Sequence, residues 1–210
     1  MDLWKYYDGD LKYFNMFDYS HEKEIAKTNP KWAFDYISEH GKDEDLEPAI
    51  AKNTEYSFWY AKHILKGAFP LGEPAIAKDT EFSYSYAILI NRRFELGESQ
   101  IAKTPYHSYW YAHTILKGPF KLGEKTIATS AQYSYSYANN VLHGKFKLGE
   151  DAISKHALYS YEYAEFCIKN PFPLGEPAIA KERNFAKAYT QNVLKKDFIL
   201  DGKLICKYEG

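Results

Sequence analysis

The chain is 210 residues long, with 27 basic and 28 acidic side chains and a formal net charge of −1. Its 45% hydrophobic and 18% aromatic content excludes a disordered chain and is ample for a sizeable core. The near-neutral charge argues against bulk attraction to phosphate and against an acidic nucleic-acid mimic.

Residues 1–20 are aromatic-rich, with acids and tyrosines where a secretion signal would need an apolar run. They fall outside the register of the later residues and are expected to cap the N-terminal end. No stretch approaches the roughly 18 apolar residues of a membrane helix. The two cysteines, Cys167 and Cys206, lack CxxC spacing and suit a reducing compartment. The expectation is a cytoplasmic protein.

From residue 21 the sequence repeats itself. Leu-Gly-Glu recurs at Leu71, Leu96, Leu122, Leu148 and Leu174, at spacings of 25 or 26, with a weaker copy at Leu46 and a weaker one still around Glu22. A glutamate and, three residues on, an isoleucine recur in seven copies, from Glu22 and Ile25 to Glu176 and Ile179. Ten residues after the isoleucine comes Tyr60, Tyr86, Tyr111, Tyr137, Tyr163 or Tyr189; in the first copy Tyr36 is displaced by one.

Each copy is expected to hold two helices. The first is short, about Glu73 to Lys78 in the third copy, with Pro74 in its first turn and Glu73 at its positive end. The second is longer, as from Tyr56 to Lys66, and should stop at a glycine such as Gly67, Gly118 or Gly144. In the fourth copy Ser108, Ala112, Ile115 and Leu116 form the buried stripe of that second helix. The third copy lacks one residue somewhere in Ile88 to Arg93. Such units cannot bury their apolar faces singly but can when stacked. The expected fold is therefore all-α, a solenoid of about seven two-helix repeats over residues 21–197 with atypical caps. The C-terminal cap, 198–210, places Asp201-Gly202 between apolar triplets, a hairpin signal.

At these residues the chain resembles two kinds of protein. Its architecture resembles the short two-helix members of the HEAT-like and leucine-rich-variant α-solenoids. The pattern Phe-x-Leu-Gly-Glu-x-x-Ile-Ala-Lys, then Tyr-x-Tyr-Ala, then Ile-Leu-Lys-Gly is similar to repeat arrays of bacteriophage-type proteins, over about residues 21–198. The resemblance implies a repeat fold and a viral origin, and carries no catalytic residues; a fold by itself does not fix a function.

No residue pattern points to chemistry. The seven histidines form no HExxH and share no register position, the Tyr-Ser serines have no histidine or aspartate in fixed relation, and Leu-Gly-Glu is no phosphate loop. The glutamate ladder reads as repeated helix N-terminal carboxylates rather than a metal groove. Neither a metal nor a cofactor is expected, and the chain is read as not an enzyme. Candidate binding residues are Trp59 and Trp110, which stand one before the repeated tyrosine where other copies have Ser85, Ser136 and Glu162. They are either outward anchors for a partner or partly buried against a neighbouring helix. Lys66, Lys117 and Lys169 form a second candidate surface. The leading expectation is a protein-binding module, sharpened by the resemblance to a host-interaction or anti-defence factor. Alternatives are a nucleic-acid-binding helical repeat, tracking a strand by charge and stacking, and a structural, self-assembling viral component.

Overall fold

A computed structural model describes residues 19–210; the expected N-terminal cap falls almost wholly outside them. The fold is an all-α array of two-helix repeats, divided into two compact units, residues up to Gln100 and Ile101–Gly210. In both units the copies share one design, and the physical reasons are local.

After the first copy, whose first helix is Tyr19–Ala26, the first helices are single turns: Glu47–Ile50, Glu73–Ile76, Glu98–Ile101, Glu124–Ile127, Glu150–Ser154 and Glu176–Ile179. So short a helix leaves nearly all its end groups without intrahelical partners. The second helix supplies a partner for one of them. Ser57, Ser83, Ser108, Ser134 and Ser160, all wholly buried, donate from Oγ to the carbonyls of Ile50, Ile76, Ile101, Ile127 and Ile153 at 2.9–3.2 Å. In the last copy Ala186 takes this place. The serines are thus more than small spacers. The Ile127 carbonyl also accepts from the Ser130 N–H at 3.1 Å, so Ser134→Ala is expected to remove one of its two hydrogen bonds and cost about 0.5–1.5 kcal/mol in chemical denaturation. No measurable loss would show that the serine acts as a spacer alone.

The first five second helices start on side-chain caps: Asn29, Asn53, Asp79, Thr104 and Ser130 each accept from a backbone N–H of the first turn, whereas His156 and Glu182 do not. Asn29 lies four residues after Ile25, whereas Asn53 lies three after Ile50. This longer turn is why Tyr36 is displaced by one.

The same helices also explain the uneven repeat length. Their last turns are π-helical at Tyr60–Leu65, Tyr111–Leu116, Ala138–Leu142, Tyr163–Ile168 and Thr190–Leu194. Pro30–His40 and Thr80–Ile90 are instead α-helical throughout. Glutamate spacing is 26 wherever a π turn follows (Glu47 to Glu73, Glu98 to Glu124, Glu124 to Glu150, Glu150 to Glu176). It is 25 after Thr80–Ile90, and 25 also after Pro30–His40, where the longer turn before the helix is offset by a stretch from Gly41 to Glu47 that is one residue shorter than that from Asn91 to Glu98. The residue missing from the third copy is therefore the one that widens a π turn, since a single insertion in an α-helix is accommodated as one i→i+5 turn.

The glycine stop signal is corrected. The left-handed residue is not Gly67, Gly118 or Gly144 but the one before it: Lys66, Lys117 and His143, with φ of 51°, 50° and 50°. Gly67 then bonds from its N–H to the Ala61 carbonyl, six residues back, one more than in a Schellman cap because of the π residue. The polar side chain takes the left-handed position and the glycine follows it. The last copy ends in an antiparallel hairpin, β1 (Phe198–Leu200) and β2 (Lys203–Cys206), turned by Asp201 and Gly202 at φ 51° and 77°. Two successive left-handed residues are what the tightest hairpin turn requires.

The core between copies is built from the repeated tyrosine and the phenylalanine that follows it. All six tyrosines from Tyr60 to Tyr189 are fully buried. Each meets a phenylalanine edge to face, with centroids 4.8–5.4 Å apart, from Tyr60–Phe69 to Tyr189–Phe198. Such pairs contribute about 0.5–1.5 kcal/mol each beyond their buried area.

The glycine of Leu-Gly-Glu holds the copies together. Gly72 has an ordinary φ of −87°, so conformational freedom is not its purpose. A Cβ on it would lie 2.3 Å from Phe69 Cδ1 and 2.8 Å from Ser57 Cβ, and Gly97, Gly123, Gly149 and Gly175 are equally tight. The second copy inverts the solution. Asp43 stands in the phenylalanine's place and Leu46 in the glycine's, and Leu46 is wholly buried. A side chain is thus buried at the glycine's position in the one copy where the phenylalanine ring is absent.

Candidate interaction surface

Polar groups that repeat along a chain invite a catalytic reading, so their partners decide much. Tyr60, Tyr86, Tyr137, Tyr163 and Tyr189 donate from the phenol to Glu47, Glu73, Glu124, Glu150 and Glu176 at 2.7–3.1 Å. The phenol oxygens of Tyr86, Tyr137, Tyr163 and Tyr189 accept in turn from the backbone N–H groups of Phe69, Phe120, Phe146 and Phe172 at 2.8–2.9 Å. A phenylalanine of one copy, a tyrosine of the next and that copy's glutamate thus form one relay. Burial, foremost, pushes these phenols well above the usual range, and the glutamates add to it. The glutamate ladder is therefore more than a set of helix-end charges, because it anchors the tyrosine on which the previous copy closes.

Other chemistry-bearing groups are similarly occupied or isolated. Burial pushes the Cys167 thiol up to about 12, which leaves it protonated and unreactive. Glu162 is raised by burial, and Glu165 Oε2 and Gln191 Nε2 are buried without a partner. Asn192 bonds Tyr161 and Glu165 beside them, at 2.7 and 3.1 Å. Among the described residues no group of three or more His, Cys, Asp or Glu converges as a metal site. A cavity of about 390 Å³ opens between the last repeat and the hairpin, edged by Lys181, Arg183, Lys187 and Lys207, with Glu209 paired to Lys187 at 3.4 Å.

The outer side of the second helices is tiled by rings from successive copies. Phe34 meets Tyr56 and Trp59, and Phe58 meets Phe82. In the other unit Tyr109 meets Tyr133, Tyr135 meets Tyr159, and Tyr161 meets Phe185. Trp59 is half-buried in this layer, 6.2 Å from Phe34 and 5.7 Å from Tyr56. Trp110 is half-buried among Tyr106, Tyr109 and His113 of its own helix. Both therefore combine an inner face in contact with an outer face in water. Lys66, Lys117 and Lys169 are exposed at the left-handed helix ends, and none belongs to a described ion pair.

One surface feature escapes the sequence reading. Leu71, Leu96, Leu122, Leu148 and Leu174, the residues that mark the repeat, are 51–57% exposed. The reason is local. Each sits in the tight turn before the first helix, where the phenylalanine two residues earlier goes inward and the glycine after it is pressed on the neighbouring serine. The leucine between them has only the outside left. Its exposed neighbours have diverged: the preceding residue is Pro70, Glu95, Lys121, Lys147 or Pro173, and the residue after the glutamate is Pro74, Ser99, Lys125, Asp151 or Pro177. The leucine has not. Core packing does not explain a repeated apolar side chain that stands in water.

The chain matches no protein-family model, no curated protein and no solved structure. Among the described residues no helix is long and apolar enough to cross a membrane.

Proposed function

We propose that the chain is a non-catalytic, cytoplasmic binding module whose repeats present exposed leucines to a protein partner. These leucines carry this reading: the same apolar side chain stands in water in five copies, two in the first unit and three in the second, while its neighbours vary. Repeated polar groups support the non-catalytic part, since serine, tyrosine and glutamate are each engaged in the scaffold. Trp59 in the first unit and Trp110 in the second, each half-buried, are a second contact point in their own unit. The resemblance to bacteriophage-type arrays is what supports a host protein as the partner, in a host-interaction or anti-defence role.

The test is affinity capture from a bacterial host lysate with and without nuclease, comparing the native chain with Leu122→Ser/Leu148→Ser/Leu174→Ser. Capture of one protein, resistant to nuclease and lost in the triple variant, is the expected result. The leucines are exposed, so the variant's melting temperature should shift by no more than about 2–4 °C, as for a loss near 1 kcal/mol in a chain this size. Capture that vanishes with nuclease would replace this reading by nucleic-acid binding. Concentration-dependent polymers in sedimentation would replace it by self-assembly.

A further inference from the structure

We propose that the second unit takes an acidic, extended segment with an apolar side chain at every third residue, laid along Leu122, Leu148 and Leu174. The proposal rests on the protein-binding reading above and names the class of partner. It follows from charge and from spacing.

The three turns that carry these leucines are Lys117–Gly123, His143–Gly149 and Lys169–Gly175. They hold Lys117, Lys121, Lys145, Lys147 and Lys169 and not one carboxylate. Glu124 takes Lys121 at 2.9 Å and Glu150 takes Lys145 at 3.4 Å. Lys117, Lys147 and Lys169 enter no described ion pair and remain for an outside charge. The first unit differs. In the turn that carries Leu96, Arg93 is paired with Glu98 at 2.7 Å, and Arg92 lies 3.8 Å from Glu73. An apolar row edged by unpaired ammonium groups is complementary to an apolar segment that carries carboxylates between its anchors.

Spacing selects the conformation. The leucines come once per helical layer, and packed helices lie about 8–10 Å apart. A polyproline-II segment has three residues per turn and rises about 9 Å over them, so its every third side chain shares one face at that interval. An α-helix reaches about 10 Å only at its seventh residue. A helix would thus set six residues between successive anchors, where the extended form needs only two. The extended form therefore brings one apolar side chain to each rung with the shortest segment and a carboxylate beside every anchor.

The probe is a fluorescein-labelled synthetic peptide with leucine at every third position over three rungs and proline and glutamate between. It is titrated by anisotropy into the full chain at low salt. Controls are the same composition with the leucines bunched together, a helix-forming acidic peptide with leucines seven apart, and single-stranded oligonucleotides. The period-three peptide should bind the native chain about ten-fold more tightly than the bunched or helical one. Leu148→Ser and Lys117→Glu/Lys147→Glu should each weaken it about ten-fold, with circular dichroism and melting unchanged. Equal binding of the register-matched and bunched peptides, or no effect of Leu148→Ser, overturns the proposal, as does preference for the helical peptide or for oligonucleotides. If a captured protein is lost with the leucine triple variant while the period-three peptide fails to bind, the occupant class is wrong and the protein-binding reading stands. If both fail, both are wrong.

Discussion

Raising the pH above about 10 is expected to unfold the array within about two to four pH units. The cause is the relay at the copy boundaries. Tyr60, Tyr86, Tyr137, Tyr163 and Tyr189 have no exposed surface, and burial holds their phenols protonated well past the usual range. In the unfolded chain they ionise near the ordinary value of about 10. Below that value both states keep the proton and stability does not depend on it. Above it the unfolded chain releases protons that the folded one retains, so stability falls as pH rises. Each tyrosine contributes a slope of about 1.4 kcal/mol per pH unit, and five together about 7. A chain of this length holds roughly 10–30 kcal/mol at 0.05–0.15 kcal/mol per residue. Far-ultraviolet circular dichroism followed against pH, with phenolate absorbance recorded on the same samples, checks this. The part of the phenolate signal that comes from the relay tyrosines should appear together with the loss of helix, in one steep step. Smooth phenolate titration near pH 10 with the helices intact through pH 12 would show that the core tyrosines ionise in place. Tyr137→Phe should make the pH dependence shallower by about one-fifth of the relay's slope, since it removes one of five such groups.

Much of this scaffold is legible in the sequence, because repetition within one chain reports packing without any alignment. The two helices per copy follow from Glu73-Pro74 and from the Ser-x-x-Tyr-Ala stripe. The burial of Tyr60 and its equivalents follows from their fixed distance after Ile50. What escapes has physical reasons. A π turn has no composition of its own, so the third copy's deletion shows as a missing residue and not as a change of helix type. Lys66 and Lys117 are poor predictors of left-handed backbone, and the adjacent glycines draw the assignment one residue too far. Leucine is read as core by its chemistry. Only the inward turn of Phe120 and the close seat of Gly123 show that Leu122 has no inside left. Trp59 and Trp110 are intermediate for the reason that makes them ambiguous in sequence: a large ring on a helix shoulder lies against a neighbour on one side and water on the other.

Gly149→Ala is the substitution that tests the seating of one copy on the next, and its effect should depend on Phe146. The added Cβ would fall 2.6 Å from Phe146 Cδ1 and 2.6 Å from both Cβ and Oγ of Ser134. The ring cannot rotate away freely, because it meets Tyr137 edge to face at 5.0 Å and is almost fully buried. Overpacking of this kind costs about 1–3 kcal/mol, and contact on two sides places it at the upper end. Phe146→Ala alone leaves a cavity and should cost about 3–5 kcal/mol. Combined, the two should cost less than their sum by about 1 kcal/mol, since removing the ring gives the methyl group its space. The second copy shows this exchange already made, with Asp43 and Leu46 at the corresponding positions and Leu46 wholly buried. Strict additivity in a double-mutant cycle of denaturant midpoints would mean that Phe146 is not what confines position 149. The remaining strain would then lie with Ser134 alone, and Ser134→Gly in the Gly149→Ala background should relieve it.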